Sequence, residues 1–340
     1  MNKKRTVISI LCIVAVIAAT AAVYYFTLVP IPQGADAKIA LYARNKPDLE
    51  LTVAVISPEG TKVSAYGHDG VQIPVPERSY EIGGVTRTFT GALAAKAASE
   101  NRLSFDDGVS SVLPLNAGNY SPTVFELLTH TSAFSDYAPG VSELPFGSSN
   151  PYTGIDSYDV LVGINNFHLK YEAPYLYSCS DFGTAVLGMM ISKAYDVDYY
   201  SILTIFAQEE LGLHDTFINT GSAPGWTWQT DDAYIASLGL SSTISDMISY
   251  AKMYLSSQYD FLTDSAAPLH EINADFSSGC MWNISDKGRI IAQSGETASG
   301  CAQICICIPD GTAVIALSNY PNDRYGDLSD IAMALLKGEA

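Results

Sequence analysis

The segment Ile82-Gly83-Gly84-Val85-Thr86-Arg87-Thr88-Phe89-Thr90 decides how this chain reads. It opens the Ala-rich run Thr88–Ser99 (TFTGALAAKAAS), whose composition favours a helix. The segment therefore sits at the N-terminal end of that helix. Gly84 brings no side chain to this place. Arg87, one helical turn on, stays protonated at any working pH and cannot take a proton from a neighbour.

Outward from this point, strands and helices alternate in blocks. Leu49–Ser57 reads as a strand, turned by Pro58-Glu59-Gly60 into a second, Thr61–Tyr66. Helical patterns recur at Thr123–Leu128, Asp181–Ala194, Tyr199–Leu211 and Ser245–Leu255. Strands return at Arg289–Gln293, Ala302–Ile308 and Thr312–Ser318, and a last helix covers Leu328–Leu336. Strands at both ends with helices between them predict one mixed sheet with a helical subdomain inserted. The organisation read from the chain is a segment 1–29, a linker and lead-in 30–48, and a main domain 49–340.

Residues 1–29 have the form of a membrane anchor. The basic flank Asn2-Lys3-Lys4-Arg5 precedes an uncharged run from Thr6 to Val29, long enough to span a bilayer. The positive flank predicts a cytoplasmic N-terminus with the remainder outside, a single-pass protein of the cell membrane. A cleaved signal peptide ending near Ala19-Thr20-Ala21 is the rival reading. The apolar run continues through Tyr24-Tyr25-Phe26, which favours the uncleaved anchor. The formal net charge of −18 argues against nucleic acid as a partner.

Further motifs accompany the first: Leu127-Leu128-Thr129-His130-Thr131-Ser132, Tyr177-Ser178-Cys179-Ser180-Asp181-Phe182-Gly183, Leu211-Gly212-Leu213-His214-Asp215-Thr216, and Gly239-Leu240-Ser241-Ser242-Thr243 followed by Asp246-Met247. In order and spacing, the set resembles the serine β-lactamase and penicillin-binding-protein family. The resemblance implies an α/β domain in which an antiparallel sheet flanked by helices is joined to an all-α subdomain. The family's nucleophile segment reads I-G-S-V-T-K-T-F-T, and seven of the nine positions match here. The two that differ are Gly84, where the resemblance places the nucleophilic Ser, and Arg87, where it places the Lys of S-x-x-K. A guanidinium buried at the cleft floor needs an anionic or carbonyl partner, and Glu296 and Asp136 are the candidates.

The other two motifs that carry the family's chemistry are also altered. In Y-x-N the resemblance implies a Tyr that carries protons and an Asn that positions Lys and substrate; here Tyr177 remains and Cys179 replaces Asn. At K-T-G, the aligned run is Ala292 to Gly300; Gln293 takes the position of the cation, or Ser294 if the register shifts by one, with Gly295 as the motif glycine. Neither residue is cationic, and Glu296 makes this rim poorer for an anion. Ser249-Tyr250-Ala251-Lys252, the one displaced S-x-x-K, reads as an exposed helix face. His130 is structural in the family. Cys179 reads as a small buried residue, with a replacement nucleophile as the sharper alternative. Cys301, Cys305 and Cys307 share one face of a strand, opposite Ile304, Ile306 and Ile308. No spacing typical of a metal site occurs, and no cofactor is expected.

The expectation is thus an extracytoplasmic domain without the family's catalysis. As a binding or regulatory pseudoenzyme it would hold a peptide, a cell-wall fragment or a protein partner, with Arg87, Tyr177, Ser294 and Glu296 as candidate ligand contacts. A hydrolase rebuilt around Cys179 or an activated water, and a scaffold with a closed cleft, are the alternatives. Because catalytic residues act as a unit, Gly84→Ser with Arg87→Lys should acylate with a β-lactam more slowly than the quadruple variant that adds Cys179→Asn and Gln293→Lys. Acylation rates across the series check this; equal rates would show that the second and third motifs are not disabled.

Overall fold

A computed structural model describes residues 33–116, 118–139, 150–169, 175–324 and 326–339. The helices are α1 (Ala35–Tyr42), α2 (Thr86–Ser99), α3 (Val109–Val112), α4 (Val124–Leu128), α5 (Ser157–Asn165), α6 (Asp181–Tyr195), α7 (Tyr199–Ile205), α8 (Ile235–Leu238), α9 (Ile244–Leu255), α10 (Asp260–Ser265) and α11 (Leu328–Leu336). The strands are β1 (Leu51–Ser57), β2 (Gly60–Tyr66), β3 (Gln72–Ile73), β4 (Tyr80–Glu81), β5 (Phe217–Ile218), β6 (Leu240–Ser242), β7 (His270–Glu271), β8 (Ser277–Ser278), β9 (Asn283–Ser285), β10 (Ile290–Thr297), β11 (Gly300–Cys307) and β12 (Thr312–Ser318).

Nine strands form one sheet in the order β3-β2-β1-β12-β11-β10-β9-β8-β7, and β4-β6-β5 form a small second sheet. Every pairing is antiparallel, as the family resemblance implied and unlike the mixed sheet read from element order. The tight connections β1–β2, β10–β11 and β11–β12 are hairpins, and the chain's two ends meet at the β1–β12 pair.

The central strands are buried on both faces and read as near-continuous apolar runs, LTVAVIS in β1 and GCAQICIC in β11. On one face Ala54, Ile56, Ile304, Ile306, Ile315 and Leu317 join the large core shared with α2, α6 and α9. On the other, Leu51, Val53, Cys301, Cys305, Val314 and Ala316 pack under α1 and α11. The alternation expected for the β11 cysteines and isoleucines is the one observed. Cys179, Cys280, Cys301, Cys305 and Cys307 are all free thiols.

The segment read as a linker belongs to the packed unit from Ala35 onward. Ile39 and Tyr42 are buried in the core beneath α1. The Tyr42 hydroxyl donates to the Tyr320 carbonyl at 2.7 Å, and the Ala35 N–H donates to the Glu339 carbonyl at 3.1 Å. Among the described residues no helix is long and apolar enough to cross a membrane. The anchor read at 1–29 lies outside the described residues.

Two helices place the site. α2 is buried along most of its length and packs so closely that a Cβ on Gly91 would overlap the Cys280 carbonyl. α6 begins where Ser180 caps it, its hydroxyl accepting the Gly183 N–H at 2.8 Å, and it ends at Asp196 in the left-handed conformation.

Candidate functional site

A 3-10 turn, Gly83–Val85, leads into α2 and lies against the edge of β10. The approach is backbone to backbone. A Cβ on Gly295 would overlap the Ile82 carbonyl, and one on Gly83 would stand 2.7 Å from the Glu296 nitrogen. Gly83 also has φ of 46°, a conformation that favours glycine. At Gly84 the obstacle is different. A Cβ there would stand 2.8 Å from Nη1 of Arg87 and 2.8 Å from the Ser294 carbonyl oxygen. The guanidinium occupies the space that a side chain at position 84 needs.

Arg87 is held by a buried polar network. Its Nη2 donates to Asp181 Oδ1 at 2.6 Å and its Nε to the Ser237 hydroxyl at 3.0 Å. Ser237 in turn donates to Asp181 Oδ1, and the Tyr152 hydroxyl donates to Oδ2 at 3.1 Å. Tyr152 is fixed by stacking between Tyr137 and Tyr234, with ring centroids 5.2 and 4.6 Å away. Burial pushes the Asp181 carboxyl up, but the Arg87 charge and the hydrogen bonds outweigh it and hold it below the usual range. Burial works against the Arg87 cation and Asp181 more than restores it. The sequence pointed to Glu296 or Asp136 as the partner; the ion pair is made by Asp181.

The second and third motifs meet beside this network. Gln293 is buried; its Nε2 donates to the Met281 carbonyl at 2.6 Å, and its Oε1 accepts from Asn283 Nδ2 at 3.3 Å. The Tyr177 hydroxyl donates to Asn283 Oδ1 at 2.9 Å. Burial pushes the Tyr177 phenol up to about 12, so it keeps its proton at neutral pH. Gln293 thus stands where the motif expects a cation. Ser294 and Glu296 do not share that face: alternation along β10 turns both side chains to the opposite side from Gln293. The Glu296 carboxyl meets Asn322 and is pushed up by burial.

His130 lies 49 positions from Cys179 in sequence, yet its Nε2 is 3.9 Å from the thiol sulfur. The Ser180 N–H donates to His130 Nδ1 at 3.3 Å, which places the ring proton on Nε2. Nε2–H therefore points at the sulfur as a donor and has no lone pair with which to take the thiol's proton. Burial pushes the Cys179 thiol up, against the pull of Arg87. His130 itself is pushed down to about 3, by burial first and by Arg87 next, and is neutral at pH 7. In the displaced S-x-x-K, Ser249 and Lys252 sit exposed on α9, away from the network. A groove of about 800 Å³ lined by Met189, Lys193, Asp196, Tyr200 and Asp231 includes none of the motif residues.

Residues 46–337 match the Beta-lactamase family. The chain belongs to that family. A curated β-lactamase of Providencia stuartii is 27% identical over 206 residues, 55% of this chain, and the chain spans half the length of that relative. Among solved structures, a class C β-lactamase superposes with a TM-score of 0.70 at 19% identity, covering 85% of this chain and 90% of that one. The octameric penicillin-binding protein homologue from Pyrococcus abyssi gives 0.68 at 19% identity, covering 85% and 74%. The β-lactamase/D-alanine carboxypeptidase from Pseudomonas syringae gives 0.67 at 16% identity, covering 85% and 93%. These structural likenesses establish a β-lactamase-type fold.

What the sequence reading missed in this β-lactamase-family site is Asp181. It stands inside the quoted Tyr177–Gly183 motif, at a position the motif leaves open. An acidic residue at that open position, in a chain with Arg in place of the Lys of S-x-x-K, was the available signal. Ser237 and Tyr152 carried none.

Arg87→Ala alone should destabilise the fold by about 3–5 kcal/mol, because it strands a buried carboxylate. Arg87→Met with Asp181→Asn should cost clearly less than the sum of the single changes. Urea unfolding of the four proteins of the cycle measures this. Acid should also destabilise the domain. The folded pKa of His130 lies below its unfolded value of about 6.5, so its contribution is full above that pH and is lost towards about pH 3. Asp181, also depressed, adds a loss of the same sign at lower pH. His130→Gln should flatten the dependence of the urea midpoint on pH between about 6.5 and 4.

Proposed function

We propose that this chain is a non-catalytic member of the Beta-lactamase family, a membrane-anchored domain outside the cytoplasm with a binding or regulatory role. The observation that carries the reading is the Arg87 guanidinium standing in the space that a serine side chain at position 84 would fill. The loss is more than a missing hydroxyl. The site lacks a nucleophile at Gly84, a proton acceptor at Arg87 and a cation at Gln293, and Tyr177 has spent its proton on Asn283. The new cation is neutralised by Asp181, so the altered floor is internally satisfied. A binding role would be toward a peptide, a cell-wall fragment or a protein partner. The uncharged run Thr6–Val29 is the basis for the anchor.

The second reading, a hydrolase using Cys179, has one observation in its favour: the 3.9 Å approach of His130 Nε2 to the sulfur. The Ser180 hydrogen bond to Nδ1 and the upward shift of the thiol weigh against it. The full-length protein should take no covalent label from a fluorescent penicillin and should leave a chromogenic cephalosporin intact. Mass spectrometry of the treated chain decides. An adduct on a Ser or Thr would sink the non-catalytic reading, and one on Cys179 that disappears in Cys179→Ala would put the thiol hydrolase in its place.

A further inference from the structure

One end of the sheet is fixed close to the uncharged run Thr6–Val29. Ala35, the first residue of α1, is buried, and its N–H donates to the Glu339 carbonyl at 3.1 Å, just past the end of α11. Only residues 30–34 separate Ala35 from that run. Five residues reach at most ~18 Å, and the headgroup layer takes up roughly 5–7 Å of this. In an anchored chain the start of α1 therefore lies within about 13 Å of the lipid surface.

The strand register shows what else lies at this end. Ile56 pairs with Ala313, Cys307 with Thr312 and with Ile290, Ile290 with Ser285, and Ile284 with Ser277. The turn Asp286–Gly288 and the loops 58–59, 272–276 and 308–311 thus share one end of the sheet. A groove of about 680 Å³ joins them to α11: Phe276, Lys287 and Ile290 line one part of it, and Met333, Leu336 and Lys337 another. The Phe276 ring is 50% exposed on a well-tied turn. The Ile272 N–H donates to the Phe276 carbonyl at 2.9 Å, and Asn273 Oδ1 accepts the Asp275 and Phe276 N–H groups at 2.9 and 3.1 Å. Gly295, which touches the Gly83–Gly84 turn, is five residues along β10 from Ile290, about 17 Å further from this end.

We propose that this end of the domain docks on the outer surface of the bilayer through Phe276, with the altered cleft held at the far end and facing away from the lipid. The proposal rests on the anchored part of the reading above and is independent of whether the cleft is catalytic. Charge does not select the lipid. Lys287 and Lys337 are exposed here, but so are Glu59, Asp275, Asp286 and Asp310, and Arg289 is paired with Asp286 and Asp310. The partner is accordingly a zwitterionic lipid surface, met by an aromatic ring with the lysine stems beside it. The short tether supplies the local concentration that so small a contact lacks.

The test uses the full-length, deuterated, ¹⁵N-labelled protein in phosphatidylcholine nanodiscs, with and without phosphatidylcholine carrying a nitroxide on its headgroup. The nitroxide should remove most of the amide signal at Phe276, Lys287 and Lys337 and leave Gly84 and Gly295 almost unchanged. Phe276→Glu should at least halve the broadening at Lys287 and Lys337. Equal broadening at both ends of the sheet, none at Phe276, or broadening that Phe276→Glu leaves as it was overturns the docking. The wild-type pattern decides by itself if the variant does not fold. A protein that stays with the disc but shows no broadening at this end loses the docking alone; one that separates from the disc on gel filtration loses the docking and the anchor together.

Discussion

The Arg87–Asp181 ion pair is the constraint around which the cleft is arranged. A guanidinium this deep in the fold must be paired, and its partner must itself be satisfied. Asp181 meets the first requirement from the first turn of α6; Ser237 and Tyr152 meet the second. Each brings a different part of the chain: α2, the start of α6, α8, and the segment ahead of α5. The pair therefore ties the helical region to the element that carries the nucleophile position. It also fixes where the guanidinium points. With Nε and Nη2 committed, the remaining nitrogen lies under Gly84, and the absence of a side chain there becomes a packing requirement. The guanidinium in this position, with the Ser294 carbonyl, leaves no room for a side chain at Gly84.

The fold was legible because its signals are local and repeated. Apolar runs marked β1, β11 and β12, and the order of five motifs set the family. The errors came where a contact spans the chain. Nothing near Arg87 in sequence announces Asp181, 94 positions away, and nothing near Cys179 announces His130. The Ser294 and Glu296 side chains are a different kind of miss. Strand alternation places them opposite Gln293 once Gln293 is taken as the motif residue, and treating all three as contacts of one rim ignored that parity. The antiparallel sheet follows from hairpins that element order alone does not reveal, since it says nothing about which neighbours pair.

Cys179 and His130 show how a catalytic-looking pair can be structural. Proximity alone would make them a thiol and its base. The tautomer reverses the roles, because the Ser180 amide at the cap of α6 takes the Nδ1 lone pair and leaves the proton facing sulfur. His130 is also at φ of 56°, and its carbonyl accepts the Ser178 N–H at 2.8 Å. Both ends of the residue are thus spent on holding the segment that carries Tyr177 and Cys179 against the loop after α4. A neutral imidazole between Arg87 and that loop avoids a second buried cation beside the first.

The seven matching residues of the nucleophile segment have packing reasons that owe nothing to catalysis. Ile82, Gly83, Val85, Thr86, Thr88, Phe89 and Thr90 are all buried. The Thr86 hydroxyl accepts the Leu240 N–H at 3.1 Å, and that of Thr88 donates to the Val85 carbonyl at 2.8 Å. The Thr90 hydroxyl donates to the Ala236 carbonyl at 2.6 Å, and Phe89 stacks on Tyr250 at 4.2 Å. Gly83 and Gly295 let the turn and the strand edge touch. Replacing any of these would leave a void, an overlap or an unpaired polar group whether or not the site reacts with anything. The two positions that depart from the motif have a side chain, or the lack of one, directed at the cleft floor. A close match across this segment therefore reports the fold, and the chemistry has to be read from positions 84 and 87 and from what holds them.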